Sequence, residues 1–131
     1  MSVERRNVPE LASPPGYTHV AVARGSTLVF TAGAVPLDGS GDLVGADNAV
    51  VQTNQVVANL IAALTAAGAL PDDVVKTTVY VAGADHDRQA TVWEAVQRSP
   101  IAAAPSTLVG VPILGYRGQL VEIEAVAVLD D

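Results

Sequence analysis

The stretch that most constrains the fold is Gly118 to Leu129, GQLVEIEAVAVL. Read as a strand, it puts Val121, Ile123, Ala125, Ala127 and Leu129 on one side, and Leu120, Glu122, Glu124, Val126 and Val128 on the other. Apolar on both sides apart from two acids, it belongs inside a covered sheet, not at a solvated edge. The acids stand one strand period apart. Each needs a donor, a proton or water, because an unpaired buried carboxylate is costly. Two readings stay open. Either Glu122 anchors a site, or both acids lie where the strand surfaces or meets a neighbouring chain.

The rest of the chain supplies partners for that strand. Residues 1–15, with Pro9, Pro14 and Pro15, read as an irregular arm. Strands are expected at Thr18–Ala23 and Thr27–Ala32, separated by the turn Arg24–Gly25–Ser26. A turn-rich loop from Pro36 to Asp42 follows, with a short strand at Leu43–Val44. Val50, Val57, Leu60, Ile61 and Leu64 then recur at helical spacing, behind a cap at Asp47 or Asn48 and before a stop at Gly68. The amides Gln52, Asn54, Gln55 and Asn59 are assigned to solvent. Asp73–Val81 is a strand whose Val75, Thr77, Val79 and Val81 should meet the helices. A second helix spans about His86 to Arg98, capped by Asp85 or Asp87. Ser106–Val111 is a further strand, and Pro112–Gly118 leads into the last one.

This order predicts a single α+β domain over residues 1–131, with both helices on one face of a mixed sheet. The other face has no helix to cover it, so it predicts oligomerisation. The composition agrees. Half of the 131 residues are hydrophobic and only 16% are charged, more apolar surface than one small domain readily hides.

Charge and residue types exclude several functions. Fourteen acids against 7 bases give a net charge of −7, which does not suit a nucleic-acid surface. With no cysteine and only His19 and His86 as imidazoles, no metal site is expected. No run of about eighteen apolar residues marks a membrane span. The charged N-terminus lacks a signal-peptide core, so a cytoplasmic protein is expected. No phosphate-cradling glycine pattern or nucleophile elbow occurs, and no cofactor is expected.

A set of phrases in fixed order stands out: GYTHVAVARGSTLVFTAGAVPLD, NQVVANLIAALTAAGAL, DDVVKTTVYV, STLVGVPIL and LVEIEAVAV. Together they resemble the RidA (YjgF) family of reactive enamine and imine deaminases, over roughly Gly16 to Leu129. The resemblance implies a chorismate-mutase-like fold and a homotrimer, with a central barrel and three small-molecule clefts between subunits. It implies hydrolysis of enamines or imines such as 2-aminoacrylate. Glu122 matches the glutamate that positions or activates water, and Tyr17 matches a tyrosine of the cleft. Thr31, Ala32 and Gly33 match a segment that lines it with backbone groups.

The sequence departs from the family at the arginine that clamps the substrate carboxylate. That position falls on Pro105 or Ser106, beside Thr107, and none of these can make a two-pronged contact. Ala32 and Ala90 stand where a small polar residue and an asparagine are found. The expectation is therefore a trimeric small-molecule site without standard 2-aminoacrylate deaminase activity. It either hydrolyses another imine or serves as a non-catalytic binding or regulatory trimer. Arg117 is either a substitute cation or a solvated loop residue.

Overall fold

A computed structural model describes residues 3–130. The elements are β1 (Val3–Arg6), β2 (Val20–Ala23), β3 (Thr27–Phe30), α1 (Ala49–Ala66), β4 (Val74–Ala82), α2 (His86–Gln97), β5 (Ser106–Val111) and β6 (Val121–Leu129). The four-stranded sheet runs β3-β6-β4-β5, and β6 lies inside it, as its two apolar sides require. It is antiparallel to β3 and β4, while β4 and β5 run parallel with α2 as the crossover between them. The molecule is thus an α+β fold with two helices on one face of a mixed sheet.

The helices start where capping chemistry places them. The Asn48 side chain accepts from the Val51 N–H at 3.0 Å, and the Asp85 side chain accepts from the Asp87 N–H at 2.8 Å. The core between helices and sheet joins Val56, Leu60, Leu64, Val92 and Val96 to Val79, Val121, Ile123, Ala125 and Ala127. By length and hydropathy α1 would suit a membrane span. Here its inward stripe packs on the sheet instead.

Four expectations need correction. The N-terminal arm is not wholly irregular: Val3–Arg6 pairs antiparallel with Val20–Ala23. The Arg5 guanidinium fixes this ribbon to the start of β4, donating to the carbonyls of Asp72 at 2.9 Å and Val74 at 3.0 Å. Leu43–Val44 forms no strand, only an isolated bridge between Leu37 and Leu43. On β4 the fully buried valine is Val74 rather than Val75, because a bulge between Val74 and Lys76 shifts the alternation. Gln52 is not solvated. It is fully buried, donating to the carbonyls of Gly45 and Gly118 and accepting from the Leu120 N–H at 2.8 Å. Asn59 is half-buried and donates to the Val35 and Leu37 carbonyls, both at 2.8 Å.

The helix-free face carries Leu28 and Phe30, 57% and 70% exposed, beside Val126 and Val128 of β6. It also carries Tyr80, Thr78 and Lys76 of β4 opposite Glu122, Glu124 and Val126.

Candidate functional site

The segment after β3 keeps following β6, but out of step. The Thr31 N–H donates to the Ala125 carbonyl, and Ala34 exchanges bonds with Ile123 in both directions. Three residue steps on one strand thus match two on the other. The extra residue forms a bulge at Ala32–Gly33, a device that re-aims groups beside many sites. The Thr31 hydroxyl accepts from the Ala125 N–H at 3.0 Å and locks the start of the bulge. Asn59 locks the segment beyond it. Among the described residues, the N–H groups of Ala32 and Gly33 have no acceptor.

Glu122 lies against this bulge. A Cβ on Gly33 would stand 2.6 Å from the Glu122 carboxyl carbon, so the carboxylate packs on bare backbone. One of its oxygens accepts from Gln119 Nε2 at 3.1 Å. Glu122 is half-buried and has no ion pair among the described residues.

Glu124 has a different partner. The Tyr80 hydroxyl donates to its Oε1 in a short bond. That bond holds the Tyr80 phenol above its ordinary pKa, helped by partial burial and by the charges of Glu124 and Glu122. The two acids of β6 are therefore not equivalent. Glu124 is committed to a neighbouring strand, whereas Glu122 keeps an oxygen at the bulge.

A second group forms on the helix side of the sheet. Tyr17 meets Trp93 edge-on at 5.9 Å between ring centroids and His19 at 6.3 Å. Trp93 Nε1 and Gln97 Nε2 both donate to the Pro15 carbonyl, at 2.6 and 2.8 Å, and so fix the approach to Tyr17. His19 is structural: Nδ1 accepts from the Val8 N–H, and Nε2 donates to the Ala12 carbonyl. Pro15, Tyr17, Trp93, Ser106 and Leu108 line a pocket of about 190 Å³. Ligand pockets usually hold about 300–1,000 Å³, so this one is a partial site.

The residues at the clamp position are engaged with β4. The Pro105 carbonyl accepts from the Thr77 N–H, Ser106 Oγ accepts from Thr77 Oγ1 at 2.8 Å, and Thr107 Oγ1 accepts from Lys76 Nζ at 2.6 Å. Ala90 is exposed on α2, one turn before Trp93. Arg117 is exposed in a turn and has no ion pair among the described residues.

Register separates the two groups. Ser106 pairs with Thr77, which is 1% exposed beneath the helices, while Glu122 pairs with Tyr80 on the helix-free face. One chain therefore joins Thr31, Ala32, Gly33 and Glu122, and separately joins Tyr17 and Ser106. It does not bring Tyr17 to Glu122.

Sequence reasoning missed Gln119, Gln52 and Asn59 as organisers of this region. Gln52 gave a signal, since it shares a four-residue stripe with Val56, Leu60 and Leu64. No group of three or more metal-ligating side chains occurs among the described residues.

The chain matches the family model described as Endoribonuclease L-PSP over residues 9–129. No curated protein matches it. Among solved structures it is similar to a protein of unknown function of the conserved Rid family, YyfB from Yersinia pestis. Identity is 33% and the TM-score 0.89, over 98% of this chain and 100% of that one. A member of the YjgF/YER057c/UK114 family from Mycobacterium tuberculosis is 31% identical with a TM-score of 0.62, over 98% and 100% of the chains. TdcF from E. coli, solved with bound serine, shares the fold at 24% identity and a TM-score of 0.69, over 99% of both chains.

Proposed function

The chain belongs to the Endoribonuclease L-PSP family, the Rid/YjgF/UK114 proteins, and on that premise we propose that it forms a homotrimer whose inter-subunit clefts bind a small molecule and hydrolyse an enamine or imine lacking the usual carboxylate. The observation that carries this reading is the Glu122 carboxylate seated against Gly33, with one oxygen uncommitted, on a bulge whose Ala32 and Gly33 N–H groups have no acceptor among the described residues. TdcF with its bound serine is a precedent for a small ligand in this fold.

Assembly supplies what one chain lacks. Tyr17 and Glu122 lie on opposite faces of the sheet, so a common cleft needs Tyr17 from one chain and Glu122 from its neighbour. The exposed Leu28 and Phe30 give the helix-free face a reason to be covered. A second chain would also enlarge the 190 Å³ pocket towards ligand size.

In the proposed reaction Glu122 accepts a proton from water as its oxygen attacks the imine carbon. The C=N π electrons move to nitrogen, which takes up the proton. In the resulting carbinolamine Glu122 takes the hydroxyl proton and passes it to nitrogen, the oxygen lone pair forms the carbonyl, and the C–N bond breaks with its electron pair leaving on ammonia. The Ala32 and Gly33 N–H groups orient the water or the ligand, and Tyr17 forms a wall and donor. Because Pro105, Ser106 and Thr107 offer no guanidinium, the preferred imine carries no α-carboxylate. RNA does not suit a chain with 14 acids and 7 bases.

A second reading is a non-catalytic ligand-binding or regulatory trimer. Ala32 and Ala90, which bring only methyl groups to matched positions, favour it. Ammonia release from a panel of freshly generated imines, with and without an α-carboxylate, separates the two. Release from the carboxylate-free imines supports the enzyme. Binding without release supports the regulator.

A further inference from the structure

Resting on the reading of Glu122 as the water-activating base, we propose that Gln119 is a positioning residue that aims the Glu122 carboxylate and ties it to the conformation of the Pro112–Gly118 loop. Gln119 is 3% exposed. Both polar atoms of its side chain are used. Nε2 donates to Glu122 Oε1 at 3.1 Å and to the Val121 carbonyl at 3.0 Å, and Oε1 accepts from the Tyr116 N–H at 3.1 Å.

The same residue closes the turn Tyr116–Gln119 through its backbone, its N–H donating to the Tyr116 carbonyl at 3.0 Å. Gly118 holds the third place of that turn with φ 80°, a left-handed value that a side chain resists. Gln52 holds the other flank, bonding the Gly118 carbonyl and the Leu120 N–H. Gln119 is thus clamped on both sides, and its donor reaches Glu122 from a fixed point.

Its amide can face only one way. Turned over, Nε2 would meet the Tyr116 N–H and the amide oxygen would meet both the Glu122 carboxylate and the Val121 carbonyl, three repulsive contacts. The observed orientation donates to Glu122 and fixes where its carboxylate points. It also occupies Oε1, leaving the oxygen beside Gly33 to take a proton from water. The loop itself is exposed, with Ile113 82% and Tyr116 51% accessible. A contact that shifts the Tyr116 backbone therefore reaches Glu122 through one side chain.

The test uses the assembled protein carrying Gln119→Leu, which keeps volume and removes both polar ends. The carboxyl-carbon NMR signal of Glu122 is expected to move while that of Glu124 stays. The kcat for imine hydrolysis is expected to fall about tenfold, with KM little changed. Should Gln119→Leu fail to fold, Gln119→Glu keeps the shape and the acceptor for Tyr116 but sets a carboxylate against Glu122, and the same signal is expected to move. A Glu122 signal unmoved in the folded variants overturns the proposal. The NMR arm needs no turnover. Absence of imine hydrolysis in the unsubstituted protein therefore refutes the proposed function separately, and the Gln119–Glu122 link is judged on the signal.

Discussion

Gly33 and Glu122 are in direct contact: a Cβ on Gly33 would come within 2.6 Å of the Glu122 carboxyl carbon, far inside the roughly 3.5–4.0 Å at which unbonded carbons rest. The glycine lets a strand in the middle of the sheet carry an acid against its neighbour's bulge. Gly33→Ala should therefore push the carboxylate away from the bulge. The expected cost is about 1–3 kcal/mol from overpacking, read as a lower urea midpoint, together with a loss of imine turnover larger than the stability change explains.

Gln52→Leu should cost about 2–4 kcal/mol, because the Gly118 carbonyl and the Leu120 N–H lose the Gln52 amide where water does not replace it, and the Gly45 carbonyl keeps only the Asn48 N–H. Urea unfolding at fixed protein concentration measures this. Asn54→Leu, on the exposed side of α1, should change stability by less than about 0.5 kcal/mol.

What the sequence revealed and what it hid differ in kind. Element order, the Asn48 and Asp85 caps and the interior place of Gly118–Leu129 were legible, because periodicity and capping are local. The strand at Val3–Arg6 was not. Its VERR sequence has no apolar alternation, and it is held by Arg5 reaching backbone about seventy residues away. Gln52 looked like a surface amide, since two of its partners are backbone groups of a segment more than sixty residues away. Glu122 and Glu124 looked alike, one period apart. The resemblance singled out Glu122, and the bond that commits Glu124 to Tyr80 came only from the register of β4 on β6.

The Tyr80–Glu124 bond predicts a pH response. The phenol's folded value lies above its ordinary 10.0, because the protonated hydroxyl is the donor to Glu124. Folding then favours the protonated form. The contribution is fully present below the unfolded value and is lost as pH rises through the folded one. Tyrosinate absorbance should show one late-titrating tyrosine, absent in Tyr80→Phe. Stability above about pH 10 should also fall more steeply in the unsubstituted protein than in that variant.

Phe30→Asp should break the assembly, since it places a charge on an exposed apolar face that the proposed trimer covers. Light scattering at micromolar concentration should report three chains for the unsubstituted protein and one for the variant. A stable monomer before substitution would remove the shared cleft.

Turnover of 2-aminoacrylate should be weak. A charge-assisted hydrogen bond is worth about 1.5–3 kcal/mol, so losing the guanidinium costs about ten- to a hundredfold. Ammonia release compared with an arginine-containing relative measures the difference, and equal rates would mean the carboxylate is held another way.

The central claim is that Glu122, and not its neighbour Glu124, is the base. Imine hydrolysis by Glu122→Gln and Glu124→Gln on the same carboxylate-free substrate tests it most directly. Glu122→Gln should abolish turnover while the trimer persists, and Glu124→Gln should retain most of it, because Glu124 serves Tyr80. Equal losses in the two variants, or full activity in Glu122→Gln, would contradict the account.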